Sequence, residues 1–235
     1  MKYIPSINIE SGIHQEFQYI VTPNAKEVLG NIVESFHSGI HSFTIIGNYG
    51  TGKSSFIVGL EKDLENGTSN LVTNRNVFGD VTAFEFMNIV GDYASLSDVL
   101  SAKLDIANFA DSKNIFEALS NKYKECKKNG KFLFIVIDEF GKILEYAANN
   151  NPEKELYFLQ KLAEFVNHPS RNVILLTTLH QNFGSYAYKL NDAQRNEWLK
   201  IKGRYKEIVF VEPVEQLMFL ASEQLNGNLA TLKEN

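Results

Sequence analysis

Two patterns of apolar residues alternate along the chain: short continuous runs, and longer segments in which apolar side chains recur every three or four positions. The short runs are rich in β-branched and aromatic residues, which is typical of strands buried on both faces of a parallel sheet. The periodic segments are typical of amphipathic helices. Strands are expected at 43–46, 81–87, 132–137, 172–178 and 208–211, and helices at about 23–38, 54–64, 96–104, 114–128, 152–166 and 213–225. This alternation predicts an α/β fold with a mostly parallel five-stranded sheet and helices on both faces.

Length, composition and charge fit one domain of this kind. The chain has 235 residues, of which 44% are hydrophobic, so it can build a full core. A net charge of −5 gives no global basic field and does not indicate nucleic-acid binding, although a local basic patch stays open. The single cysteine, Cys126, permits no internal disulfide and is expected to be reduced, as in the cytosol. We find no signal peptide and no apolar run of membrane-spanning length, so we expect a cytoplasmic protein without membrane contact.

The segment from Gly47 to Ser54 has the pattern Gly-x-x-x-x-Gly-Lys-Ser, which is typical of a phosphate-binding loop. In such a loop backbone N–H groups surround a polyphosphate, Lys53 reaches the β- and γ-phosphates, and the Ser54 hydroxyl ligates Mg²⁺. The alternative is a glycine-rich surface turn, which the preceding strand and the following helix disfavour. We therefore predict a nucleotide site. Its expected binding residues are Gly47, Asn48, Tyr49, Gly50, Thr51, Gly52, Lys53, Ser54 and Ser55.

A second motif follows the apolar run at 132–137, where Asp138 and Glu139 stand in succession. Ligands of open α/β sheets bind at the carboxyl ends of the strands, so both carboxylates are expected beside the nucleotide. Asp138 would hold Mg²⁺ through its water shell, and Glu139 would orient and polarise the attacking water. The alternative is an acidic pair that only starts a surface loop.

The spacing of the two motifs refines the type of nucleotide site. Lys53 and Asp138 are too far apart for a single βα crossover, and the interval holds the strand candidate at 81–87. A strand is therefore expected between the loop strand and the Asp-Glu strand, as in ATPases that carry a catalytic glutamate after the Mg²⁺ aspartate. An Asn-Lys-x-Asp element for guanine is absent, because Asn121-Lys122 is followed by Tyr and Lys within a helical stretch. The expected ligand is Mg²⁺-ATP.

With these motifs, the chain from about Thr22 to Leu225 resembles the AAA+ family of P-loop ATPases. The resemblance implies an N-terminal segment at 1–22, an ATPase core at 23–212 and the start of a truncated helical lid at 213–235. Members of the family normally continue into a complete lid. We therefore expect this chain to be the N-terminal ATPase module of a longer protein, or a fragment of one.

The resemblance also implies a polar sensor residue at the end of the strand at 172–178, where it would contact the γ-phosphate or the attacking water. Thr178 is the first choice, and Thr177 and His180 are alternatives. Either threonine could instead satisfy local backbone groups.

An arginine supplied to a neighbouring subunit is the next feature that the resemblance implies. The segment Lys202-Gly203-Arg204-Tyr205 is similar to the stretch that precedes the last core strand of AAA+ proteins, and Arg204 matches its arginine finger. The second arginine of many members falls on Ile201, so only a single finger is supported. Arg195, on a helical stretch begun by Asp192, is the backup, and a surface ion pair is the alternative for each. A homo-oligomer is therefore expected.

The segment from Asp138 to Ala147 resembles large bacterial phage-defence ATPases of the bacteriophage-exclusion type, with some similarity to origin-recognition-like and STAND ATPases. Three functions follow as hypotheses: an ATP-hydrolysing assembly in defence or DNA transactions, a slow ATP-dependent switch that controls a partner or C-terminal effector, and a DNA-remodelling ATPase. The presence of Glu139 and Arg204 favours hydrolysis.

Overall fold

Five parallel strands form one sheet at the centre of the molecule. The computed structural model describes residues 7–10, 19–67, 71–106 and 112–213, together with Met218 and Ser222. The strands are β1 (Ser42–Ile46), β2 (Ala83–Val90), β3 (Lys131–Asp138), β4 (Val173–Leu179) and β5 (Lys206–Val209). The helices are α1 (Pro23–His37), α2 (Lys53–Asn66), α3 (Leu96–Lys103), α4 (Ser112–Lys128), α5 (Phe140–Asn149), α6 (Pro152–Val166) and α7 (Asp192–Lys202).

The order of the strands across the sheet is β2-β3-β4-β1-β5, and every neighbouring pair is parallel. The predicted α/β fold with a five-stranded parallel sheet is therefore confirmed. A strand does lie between β1 and β3, but it is β4, which comes later in the chain. The strand predicted at 81–87 is β2, and it lies at the edge beside β3. Because the chain leaves β1 towards one edge and later returns to its other side with β5, the carboxyl end of β1 is a topological switch point, where ligands bind.

Helices cover both faces of the sheet, and β3 shows how one strand supplies two cores. Phe132, Phe134 and Val136 pack with residues of α1 and α2, whereas the alternating residues Leu133, Ile135 and Ile137 pack with the helices α3 to α7. All six side chains are completely buried. This burial on both faces explains why the strand is a continuous apolar run.

Local sequence signals set the starts of two helices as expected. The Thr22 hydroxyl caps α1 by accepting from Ala25 N, with proline at the first helical position, and Asn151 and Pro152 begin α6 in the same way.

The sequence did not predict α5, which begins directly after β3. Its N-cap, Glu139, has a left-handed backbone and makes no capping hydrogen bond with its side chain.

Further predictions concern parts of the chain around this core. β5 ends at Val209, two residues before the predicted end, and the helix predicted from Pro213 falls almost wholly outside the described residues. Most of the predicted N-terminal segment and lid are outside them as well.

Cys126 is buried and forms no disulfide. No helix in the described part of the chain is long and apolar enough to cross a membrane.

Candidate functional site

The loop from Gly47 to Gly52 joins the carboxyl end of β1 to the start of α2 and is shaped by its glycines. Gly52, the N-cap of α2, has a φ of 93°, which strongly favours glycine. A Cβ on Gly47 would collide with the carbonyl oxygen of Phe210. The predicted strand–loop–helix context of the phosphate-loop motif is thus present.

The ammonium of Lys53 lies inside this loop, with only 5% of the residue exposed. It donates to the carbonyl oxygens of Gly47 at 2.5 Å and Asn48 at 2.9 Å, and it lies 3.5 Å from Nδ1 of His180. Burial lowers the pKa of Lys53, while Asp138 acts in the opposite direction. All three N–H bonds of the ammonium therefore have partners, and a phosphate would have to replace some of them.

Ser54 and Asp138 come from different elements and meet at the carboxyl edge of the sheet. The Ser54 hydroxyl, on the first turn of α2, donates to Oδ2 of Asp138 at the end of β3 over 2.7 Å. Both groups are oxygen donors of the kind that Mg²⁺ prefers. In the described part of the chain no cluster of three or more His, Cys, Asp or Glu side chains could hold a metal by itself.

Thr178 lies at the end of β4, next to the Asp-Glu pair. Its hydroxyl donates to Oδ1 of Asp138 and accepts from the backbone N of Glu139 at 3.0 Å. Thr177, one residue earlier, is fully buried and bonds to Thr44 Oγ1 at 3.0 Å, which links β4 to β1. In this structure both threonine hydroxyls are engaged in local contacts.

Glu139 follows β3 with a φ of 53°, a conformation that is uncommon outside glycine. Its backbone N also donates to Oδ1 of Asp138 at 3.0 Å. Its carboxylate pairs with Lys142, one turn along α5, with Nζ and Oε2 separated by 2.5 Å. The hydrogen bond to Glu139 raises the pKa of Lys142.

His180 comes directly after β4 and faces the loop. Its ring stacks on that of Tyr49, with centroids 3.4 Å apart and planes at 22°. Burial, followed by the charge of Lys53, lowers the pKa of His180.

A single cavity of about 380 Å³ brings most predicted site residues together. Its lining includes Tyr49, Gly50, Gly52, Lys53, Ser54, Ser55, Asp138, Glu139 and His180. Ile7, Asn8 and Val90 also line it, and none of the three was predicted from the sequence. The first two precede any recognisable motif, so no sequence signal pointed to them. Lys142 was missed because its helix was not predicted.

Arg204 lies at the opposite end of the sheet from this cavity. It precedes β5, whose Lys206 pairs with Phe43 near the start of β1. At roughly 3.3 Å per residue, the distance between Arg204 and Gly47 along the strand direction is about 20 Å. Its guanidinium is 3.5 Å from Glu164 in a partly exposed ion pair. The backup candidate, Arg195 on α7, donates to the backbone oxygen of Leu190 at 3.2 Å.

Comparison with known proteins gives matches among solved structures alone, because no protein-family model and no curated protein matches the chain. The ORC2 protein of Aeropyrum pernix, solved as ADPNP-ADP complexes, is 13% identical, with 90% of this chain and 54% of that chain covered and a TM-score of 0.56. Its ADP form gives 14% identity, 91% and 55% coverage and a TM-score of 0.56. Cdc6p from Pyrobaculum aerophilum is 16% identical over 85% of this chain and 48% of that chain, with a TM-score of 0.44, which is too low to add support.

These matches concern the fold. They show that the chain has the α/β P-loop fold of the Aeropyrum pernix ORC2 structures, which agrees with the origin-recognition-like resemblance predicted from the sequence. The chain spans about half the length of the proteins it matches.

Proposed function

We propose that this chain is a module that binds Mg²⁺-ATP and hydrolyses it to ADP and phosphate. The observation that carries the proposal is the single cavity at the switch point of the sheet, which holds Lys53, Ser54, Asp138 and Glu139 together. An ammonium in a loop between a strand and a helix N-terminus suits a polyphosphate. A carboxylate and a hydroxyl beside it suit a magnesium ion that is completed by phosphate oxygens and water.

Phosphate binding would use the loop and Lys53. The backbone N–H groups around Gly50 to Gly52 lie at the start of α2, where the helix dipole favours negative charge. Lys53 would exchange its loop carbonyl partners for oxygens of the β- and γ-phosphates. The exchange replaces neutral acceptors by negatively charged ones, so the ammonium gains the attraction of an opposite charge.

Magnesium would be held by Ser54, and by Asp138 directly or through water. The two oxygens are already 2.7 Å apart, so both could serve as ligands of one bound ion. Such an ion neutralises charge that develops on the transferred phosphate. Thr178 fits this arrangement as the group that orients Asp138 and the backbone of Glu139.

Hydrolysis would use Glu139 as the group that orients and polarises the attacking water. Of the three sensor candidates, His180 is the one whose side chain lines the cavity, and it lies beside Lys53. We therefore place His180 ahead of Thr178 and Thr177 for contact with the γ-phosphate. Arg204 would be supplied to the site of a second copy, because its own site is about 20 Å away along the strand.

Binding can be tested by titrating a fluorescent ATP analogue into the wild-type chain and a Lys53→Ala variant. Loss of the cationic contact should abolish detectable binding in the variant. A Lys62→Ala variant, on the same helix, is the matched control and should bind normally. Equal affinity of folded Lys53→Ala and wild-type protein would remove the proposal.

A slow-hydrolysing switch that controls a partner or effector is the second candidate. The observation that favours it is the contact between Glu139 and Lys142, which holds the carboxylate that would activate water. Turnover measured with and without DNA, over a range of protein concentrations, separates this switch from an assembled motor and from a DNA-stimulated ATPase. A role in phage defence or DNA transactions rests on the sequence resemblance alone.

A further inference from the structure

The stack between Tyr49 and His180 connects the phosphate loop to the end of β4. Tyr49 is the third residue of the loop and is 78% exposed, so it contributes little to the core. Its main described contact is the imidazole of His180 at a centroid distance of 3.4 Å. An aromatic pair of this kind favours one orientation of both rings.

The neighbouring ammonium fixes which nitrogen of His180 carries the proton. Nδ1 lies 3.5 Å from Nζ of Lys53, and an ammonium can only donate, so Nδ1 must be the acceptor. The proton of the neutral ring is then on Nε2, for which no described residue is an acceptor. Burial and Lys53 favour this neutral form and Lys142 acts with them, whereas Glu139 and Asp138 oppose them.

We propose that Tyr49 is a positioning residue that orients the His180 ring so that Nε2–H meets the terminal phosphate of ATP. The inference rests on the proposed function and deepens it, because it names the group that would distinguish a nucleoside triphosphate from a diphosphate in binding. ADP has no γ-phosphate, so the orientation of His180 should matter little for ADP. Without the stack the ring can rotate away, and part of the ATP affinity is lost as ordering entropy.

The test measures dissociation constants for the β,γ-imido analogue of ATP and for ADP, both with Mg²⁺. The variants are Tyr49→Ala, Tyr49→Phe and His180→Ala, with Tyr157→Ala as a control because Tyr157 is another exposed tyrosine, on α6. Tyr49→Ala should weaken the triphosphate analogue about 3- to 10-fold, the range that an aromatic pair contributes. ADP affinity should change less than about 2-fold. Tyr49→Phe, which keeps the stacking ring, and Tyr157→Ala should behave like the wild type.

A double variant decides whether Tyr49 acts through His180. In the His180→Ala background, Tyr49→Ala should cost nothing further, because the two residues contribute one interaction. An equal loss for both nucleotides would identify a general loop defect and overturn the inference, as would an unchanged triphosphate affinity. A loss that persists in the His180→Ala background would overturn it too. If the wild-type chain binds neither nucleotide, both the proposed function and this inference fail. If the wild-type chain binds and Tyr49→Ala has no effect, only this inference fails.

Discussion

The Ser54 hydroxyl and the Asp138 carboxylate are joined by a hydrogen bond of 2.7 Å, although 84 positions of sequence separate them. The bond connects the first turn of α2 to the end of β3 across the sheet. It also holds two oxygen ligands at one point beside the loop. Because Mg²⁺ takes few protein ligands and keeps several waters, these two groups are sufficient for a nucleotide-bound ion.

Ser54→Ala should therefore weaken nucleotide binding in the presence of Mg²⁺ more than in its absence. We expect a loss of about 10-fold with Mg²⁺, the lower end of the effect of removing groups around a metal. Asp138→Asn should show the same selectivity. The measurement is a titration of ATP analogue with Mg²⁺ and again with EDTA. Equal losses under both conditions would mean that Ser54 has a structural role only.

Glu139→Gln should separate binding from chemistry. The amide keeps the shape of the side chain but loses the charge that polarises water, so turnover should fall by about 10²-fold while ATP still binds. Phosphate release under steady-state conditions measures this. Glu145→Gln is the matched control, because Glu145 is an exposed glutamate on α5, the helix that follows Glu139, and it should retain wild-type turnover. Turnover of Glu139→Gln at the parent rate would assign the role to another group.

Lys142→Met should have only a small effect on turnover. The size of this effect measures how strongly the ion pair with Glu139 restrains hydrolysis. Both side chains are more than a third exposed, and such ion pairs contribute about 0 to 1 kcal/mol. Releasing Glu139 should therefore raise basal turnover by at most about 5-fold. A rise of 10²-fold would instead favour the slow switch, with Lys142 as its restraint. A fall of that size would show that Lys142 itself assists the reaction.

The sequence predicted those parts of the site that local chemistry specifies. Gly52 adopts the positive φ that its place before Lys53 requires, and the apolar run before Asp138 forms a strand because both faces of the sheet are covered. The residues of these two motifs could be assigned without knowledge of long-range contacts. The fold class followed from the alternation of strands and helices.

Features that depend on long-range packing were not predictable in the same way. The position of β4 between β1 and β3 is decided by how the crossovers pack, which no local pattern encodes. The start of α5 was missed because Glu139 provides no capping signal and adopts a left-handed backbone. The contact of His180 with Tyr49 joins residues that are far apart in sequence, and the motif specifies no residue type at the position of Tyr49.

Glu61 should make stability depend on pH. This carboxylate on α2 is 1% exposed, and burial raises its pKa to about 7, although a hydrogen bond from Asn88 acts in the opposite direction. The folded state therefore binds a proton that the unfolded state releases above pH of about 4.5. The free energy of unfolding should fall as pH rises from about 4.5 to about 7, by a contribution on the order of 1–3 kcal/mol.

Glu61→Gln should remove this pH dependence. The amide stays neutral, and it could donate to Oδ1 of Asn88, which is buried and has no hydrogen-bond partner among the described residues. Urea unfolding at several pH values and constant ionic strength measures the effect. The variant should be at least as stable as the wild type at pH 8. If the free energy of unfolding has the same pH dependence in the wild type and in the variant, Glu61 ionises normally in the folded state.

Arg204 should act on the active site of another copy of the chain. It lies at the amino end of β5, about 20 Å along the strand from the loop, so its own nucleotide is out of reach. The ion pair with Glu164 is partly exposed, and such a pair contributes too little to prevent the arginine from moving to a partner. An arginine finger contributes about 10³-fold or more in rate. Specific activity should therefore rise with protein concentration, and Arg204→Ala should flatten that rise without reducing ATP affinity.

Complementation tests this assignment most directly. Lys53→Ala lacks a working nucleotide site but carries Arg204, and Arg204→Ala has the opposite defect. A mixture of the two inactive proteins should regain some turnover, because mixed assemblies pair an intact site with an intact finger. Arg195→Ala is the matched comparison on the neighbouring helix, and it should behave as wild type if Arg204 is the finger. Absence of complementation, together with an activity per subunit that does not depend on concentration, would show that Arg204 has no role in trans in this module.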